Sequence, residues 1–200
     1  MFSKSVKFNT ALAALVLSPS LAFAHTGVGQ TAGFFHGFCH PLSGLDHILA
    51  MVMVGTFAFQ LGGRALWLVP LTFVLVMAGG GTLGVMGVAL PFVETGIALS
   101  VAVLGAVVAL NVKAPVAIAM GIVGLFAVFH GHAHGSEMPG AAGGVSYAAG
   151  FMIATALLHF AGIAAGFLIG KTSERHGMIV MRSAGGIAAI AGVGLLTGLL

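Results

Sequence analysis

Long apolar stretches alternate along the chain with short polar breaks. A helix that crosses a bilayer needs about 20 mostly apolar residues. Six stretches of that kind can be drawn, at 41–60, 65–88, 92–111, 114–134, 144–170 and 178–200. The breaks between them are short, so the expected helices form a compact bundle with no sizeable soluble domain. The start of the chain reads differently. Lys4 and Lys7 precede an apolar run from Ala11 to Leu17, Pro19 breaks that run, and Ala22-Phe23-Ala24 offers small residues where a signal peptidase reads. This pattern predicts a signal peptide over 1–24, cleaved after Ala24, with an uncleaved first helix as the alternative. The mature chain then begins at His25, whose imidazole and free amino group either chelate a metal or are simply solvated.

Composition agrees with a membrane class. Of 200 residues, 59% are hydrophobic and 6% charged, where a soluble domain carries about 25% charged residues. Mean hydropathy is +1.15 and the sequence pI is 9.5. The basic pI does not indicate nucleic acid, because only seven Lys and Arg are present and they are scattered. A single cysteine, Cys39, excludes an intrachain disulfide. Thirty-two glycines would weaken soluble helices, but between membrane helices small residues let backbones approach. Gly79-Gly80-Gly81 with Gly84 and Gly87, and Gly162 with Gly166 and Gly170, fit such faces; the first triplet has the alternative of unwinding to offer carbonyls to an ion. The ten methionines read as gap filler rather than a soft-metal ladder.

The charges set an orientation. With the mature N terminus outside and six spans, the inner loops are 61–64, 111–113 and 171–177. Arg64, Lys113, Lys171 and Arg175 fall in them, and Arg182 lies just inside the adjoining end of the sixth stretch. Every basic residue of the mature chain is then inner, as the positive-inside rule requires. Both mature termini are outer, and the membrane is a bacterial inner membrane. Asp46, Glu94 and Glu137 gather at the outer end with His25, His36, His40, His47, His130, His132 and His134. Such a mouth draws cations toward ligands already in place.

Two clusters carry the chemistry. In the first, His40 precedes Pro41, which predicts a helix beginning at Pro41 with His40 outside it. His40 and His47 then project within about 20° of each other at ~100° per residue, but lie about 10 Å apart along the axis. They share one ion only if the chain before Pro41 curls inward. His36 and His40, four apart, make a separate outer pair. In the second cluster, His130 and His134 stand at i and i+4, one face and one turn apart, a chelating spacing. Glu137 continues that face if the helix continues, His132 points roughly opposite, and Gly131 and Gly135 allow the backbone to leave the helix. Ionisable groups in an apolar segment mark function by default, whereas a solvated histidine-rich loop predicts neither a spacing pattern nor an intramembrane Asp46. Imidazole suits nickel, copper, zinc and iron, carboxylate hardens the site, and the set disfavours copper(I) without separating nickel from cobalt or zinc. His159, deep in the fifth stretch, is either hydrogen-bonded to a neighbouring helix or an inner relay ligand.

The motifs His40-PLSGL-Asp46-His47 and Phe129-His130-Gly131-His132-Ala133-His134-Gly135-Ser136-Glu137 resemble those of the HupE/UreJ family of nickel and cobalt permeases, over the whole mature chain. The resemblance implies that His40, Asp46, His47, His134 and Glu137 are transport residues and that Glu94, in PFVETGIALS, is a family position. It also implies a link to the supply of nickel enzymes such as hydrogenase or urease.

The expected protein is thus an all-α integral membrane bundle of six spans after a cleaved signal peptide. It is a permease for a divalent metal, with no cofactor beyond the transported ion and no partner beyond that ion and the lipid. No G-x-x-x-x-G-K-[ST] motif is present, so the chain does not couple directly to ATP. Rival readings are an intramembrane metalloenzyme with an activated water, or a sensor or chaperone that binds without transport. A hydrolase built on Ser43 beside Asp46 and His47 is disfavoured, because one helix does not supply a triad.

Overall fold

The computed structural model describes residues 33–138, 143–172 and 174–200. The expected signal peptide and His25 lie outside them. The described chain is helical throughout, with no strand. Its elements are α1 (Phe34–Ser43), α2 (Leu45–Leu61), α3 (Ala65–Val85), α4 (Val93–Ala109), α5 (Val116–Ser136), α6 (Gly144–Thr172) and α7 (Glu174–Leu196). Four helices are long and apolar enough to cross a bilayer: α3, α5, Gly144–Gly170 of α6 and His176–Leu196 of α7. The pair α1 and α2, bent by 86° at its break, makes a fifth candidate when taken as one span, while α4 is shorter at 17 residues. The outward faces of these helices stay apolar, as lipid contact requires: Trp67, Leu71 and Leu75 recur at i, i+4 along α3, and Ile187 and Ile190 are exposed on α7. The chain is an all-α, multi-pass membrane protein.

One expected boundary is corrected. The first helix does not start at Pro41. It starts at Phe34, carries Pro41 inside its last turn, and ends at Ser43. The preference of the residue before proline for extended backbone is a bias that packing overrides, and Pro41 is buried. The break falls instead at Gly44, whose extended backbone (φ −102°, ψ 125°) separates α1 from α2. The Ser43 hydroxyl donates to the His40 carbonyl at 2.6 Å, taking up one of the acceptors that a helix end leaves unpaired.

Glycine brings the helices together in pairs. On α3 and α5, a Cβ built on Gly131 would fall on the Met77 carbonyl oxygen, one on Gly135 on that of Gly81, and one on Gly84 on that of His132. The backbones therefore touch, and α5 stays helical through Gly131 and Gly135 instead of unwinding there. The triplet at 79–81 is likewise continuous helix; Gly80 and Gly81 face α5, whereas Gly79 faces open space. Gly55 of α2 and Gly162 of α6 meet opposing carbonyls in the same way, and Gly166 and Gly170 lie against the Phe59 ring. Gly105 of α4 meets Gly185 and Ala189 of α7, and Gly37 of α1 meets the Tyr147 backbone of α6. Met51, Met53 and Met77 are buried packing residues of the apolar core.

The two ends of the bundle differ in charge. At one end Lys113 donates from Nζ to the Gln60 carbonyl at 2.6 Å, and Arg182 donates from Nε to the Ala109 carbonyl at 2.8 Å. Both cations sit at helix C-termini, where unpaired carbonyls and the helix dipole favour positive charge. Arg64, between α2 and α3, belongs to that end. The described carboxylates Asp46 and Glu94, in the first turns of α2 and α4, and Glu137, at the C-cap of α5, belong to the other.

Candidate metal site

The bend at Gly44 folds α1 across the carboxylate end of the bundle and swings His40 over α5. The His40 ring centroid lies 4.7 Å from that of His134, and His40 Nε2 lies 3.2 Å from Glu137 Oε2. The bend falls at Gly44, after Pro41 and not before it, and it sets His40 beside His134 and Glu137. One donor atom each from His40, His134 and Glu137 lie within 4.8 Å of one another. Donors bound at about 2.1 Å to a single ion stand roughly 3–4.2 Å apart, so three-point ligation needs only a small inward movement.

Asp46 and His47 complete the second side. Asp46 Oδ1 accepts from both the backbone N–H and the ring Nδ1 of His47, each at 2.8 Å. An ionised carboxylate only accepts, so Nδ1 carries the proton and Nε2 presents its lone pair. The His47 ring stands 4.5 Å from His134 and 4.9 Å from His130. A cavity of about 260 Å³ opens among these groups, lined by His40, Asp46, His47, Glu94, His134 and Glu137 together with Ser43, Gly44, Ile97 and Ala133. His134 and Glu137 line this cavity together, whereas His130 is not part of its lining. Ser43 donates to a backbone carbonyl and makes no triad.

The other candidates stand apart from the cavity. His36 lies beside His40 at 6.0 Å and edge-on to Tyr147 at 5.6 Å. His132 turns away from the cavity and donates from Nε2 to the Val88 carbonyl at 2.7 Å, pinning the connection that leads to Glu94. His130 is fully buried, one turn below His134. Its Nε2 lies 3.0 Å from Ser100 Oγ, and that hydroxyl already donates to the Ile97 carbonyl. His130 Nε2 is therefore the donor and Nδ1 carries the lone pair. Deeper still, His159 is fully buried against Phe73. Among the described residues, His47 Nε2, His130 Nδ1, His132 Nδ1, Gln60 Oε1 and both ring nitrogens of His134 and His159 are buried without a hydrogen-bond partner. Unpaired buried polar atoms are costly, and atoms suited to ligation are concentrated here. Ser100, Tyr147, Phe151 and Phe73, which shape this cluster, were not picked out from the sequence. They are ordinary residues inside apolar runs, and only their contacts across helices give them a place.

The apolar helical bundle brings imidazoles and carboxylates from α1, α2, α4 and α5 together at one end, and His40, His134 and Glu137 among them could hold a metal ion. The model of the HupE / UreJ protein family matches residues 13–195, and the chain belongs to that family. It is 53% identical over 196 residues to Protein HupE of Rhizobium leguminosarum bv. viciae, covering 98% of this chain and all of that one. No solved structure matches.

Proposed function

We propose that the chain is a secondary permease that takes up a divalent transition metal, nickel or cobalt, through the cavity at the carboxylate end. The observation that carries this reading is the convergence of His40, Asp46, His47, Glu94, His134 and Glu137 on one cavity, in a protein with almost no other charge. Family membership supports it. The hydrated ion is drawn to an outer mouth that holds three carboxylates and no described Lys or Arg. There it exchanges water for imidazole and carboxylate, and moves inward between helices. Binding stays weak enough for release. The ion serves nickel enzymes such as hydrogenase or urease.

Cells expressing the chain accumulate radioactive nickel or cobalt above cells carrying an empty vector, with zinc and copper as competitors defining selectivity. A metalloenzyme or a sensor gives no accumulation, and that result would sink the permease reading.

The same proposal includes six spans in a bacterial inner membrane after removal of 1–24, with α4 as the third span and both mature termini outside. Cys39 is exposed on α1 and belongs to the outer face. In intact cells it reacts with a membrane-impermeant thiol reagent, and a cysteine placed at 64 in a Cys39→Ser background does not. Ready labelling at 64 reverses the orientation.

A further inference from the structure

About one turn along α4 from Ile97, which lines the cavity, stands Ser100. The residue is fully buried, and its hydroxyl has a single proton to give. That proton goes to the Ile97 carbonyl at 2.6 Å, a bond back along its own helix. The oxygen lone pairs stay available, and His130 Nε2 of α5 lies 3.0 Å away. The two helices come this close because Gly96 stands in the turn before: a Cβ there would fall on the Phe129 ring.

His47 shows the same arrangement. Asp46 Oδ1 accepts from its Nδ1, and its Nε2 is buried with no partner among the described residues. At His130 the nitrogens exchange roles: Nε2 donates to Ser100, and Nδ1 is buried with no partner among the described residues. The two rings stand 4.9 Å apart, edge-on at 87°. His47 also stands 4.5 Å from His134. Its ring thus adjoins both a histidine that lines the cavity and the fully buried one a turn away on α5. A histidine that ligates a metal gives its other ring N–H to a fixed acceptor, which sets its tautomer and the orientation of the ring. His47 and His130 each carry that device, with a carboxylate as acceptor in one and a hydroxyl in the other. A His130 that only tied α5 to α4 would need one nitrogen, and the second, buried and bare, would be pure cost.

We propose that Ser100 is a positioning residue of the ion path. By accepting from Nε2 it holds His130 in the tautomer whose Nδ1 lone pair is free, and His130 is the ligand that takes the ion after His134 and His47. Imidazole nitrogen suits a first-row divalent ion. This rests on the permease reading above and adds to it one inner ligand and the group that readies it.

The test uses the full-length protein. Co²⁺ influx is read in liposomes loaded with a metal-sensitive dye, and outer-site binding by Co²⁺ absorption in detergent. The His130 tautomer is read from the ¹⁵N resonances of labelled histidine, assigned with His130→Gln. Ser100→Ala slows influx by about tenfold or more while outer binding stays close to wild type, and His130 loses its single tautomer. Ser100→Thr keeps an acceptor oxygen; it keeps the tautomer and recovers most of the rate. A serine that only packs leaves the tautomer unchanged in Ser100→Ala, with any loss of rate in step with lost thermal stability. That unchanged tautomer, or wild-type influx in Ser100→Ala, overturns this inference and leaves the permease reading standing. An absence of Co²⁺ influx through the wild-type protein overturns both.

Discussion

His134→Ala loses nearly all metal uptake while the protein still inserts, and Asp46→Asn loses about 10–100-fold. His134 stands at the centre of the cluster, with His40 at 4.7 Å and His47 at 4.5 Å. Its removal takes away the group that both sides of the cavity share. Asp46 acts on the metal in two ways: it supplies negative charge at the mouth, and it fixes the His47 tautomer by accepting from Nδ1 and from the backbone N–H. Asparagine keeps the size but loses the charge, and its amide no longer dictates which ring nitrogen carries the proton. His132→Ala is the control on the same helix. Its ring donates to the Val88 carbonyl instead of facing the cavity, so the expected loss is one buried hydrogen bond, about 1–3 kcal/mol, and a mild effect on uptake. Radioactive nickel or cobalt uptake, normalised to inserted protein, measures all three. Wild-type rates in both His134→Ala and Asp46→Asn would show that the histidines are an external trap and not the transport path.

Uptake also falls as the external medium is acidified. Metal ligation needs a neutral imidazole and an ionised carboxylate, so protons compete with the ion for each histidine. The sign follows from the groups present. A histidine with an ordinary pKa of about 6.5 is mostly neutral above that value and mostly cationic below it, and a cationic imidazole at the mouth has no lone pair for a divalent ion. Uptake therefore falls as the external pH drops through about 6, and the loss reaches at least about tenfold by pH 5, where carboxylates remain largely ionised. Initial uptake rates between pH 5 and 8 at constant free metal check this. A flat profile would mean that no histidine ligates the ion on its way in.

Much of this arrangement is legible in the sequence, for definite reasons. The apolar stretch expected at 65–88 became Ala65–Val85, that at 144–170 became Gly144–Thr172, and that at 114–134 became Val116–Ser136. Segments that must satisfy their own backbone in lipid have only one regular form open to them, so hydropathy and turn residues locate them well. The i, i+4 spacing of His130 and His134 placed both on one face for the same reason. Misreading Pro41 as a helix start had a specific cause: local backbone preference was weighed, while the packing of α1 over α6, through Gly37 and Tyr147, was invisible. The contribution of Ser100 to His130, or of Phe73 to both deep histidines, depends on partners 30 to 86 positions away in sequence. No pattern within one helix reports such partners.

The glycine contacts also determine where this molecule has joints. Where bare backbones rest on each other, α3 on α5, α2 on α6 and α4 on α7, a shift of even one atom's width meets a carbonyl oxygen or a peptide nitrogen. Each pair is locked as a plank. Between planks the surfaces are mostly side chains, which have rotamers to spare, with Gly177 of α7 against the Ile169 backbone of α6 as an exception. His40 rides on α1 beside α6, Asp46 and His47 on α2, Glu94 on α4, and His134 and Glu137 on α5. The cavity they line therefore sits where all three planks meet. An ion held there as proposed would be a rivet through the joint of all three.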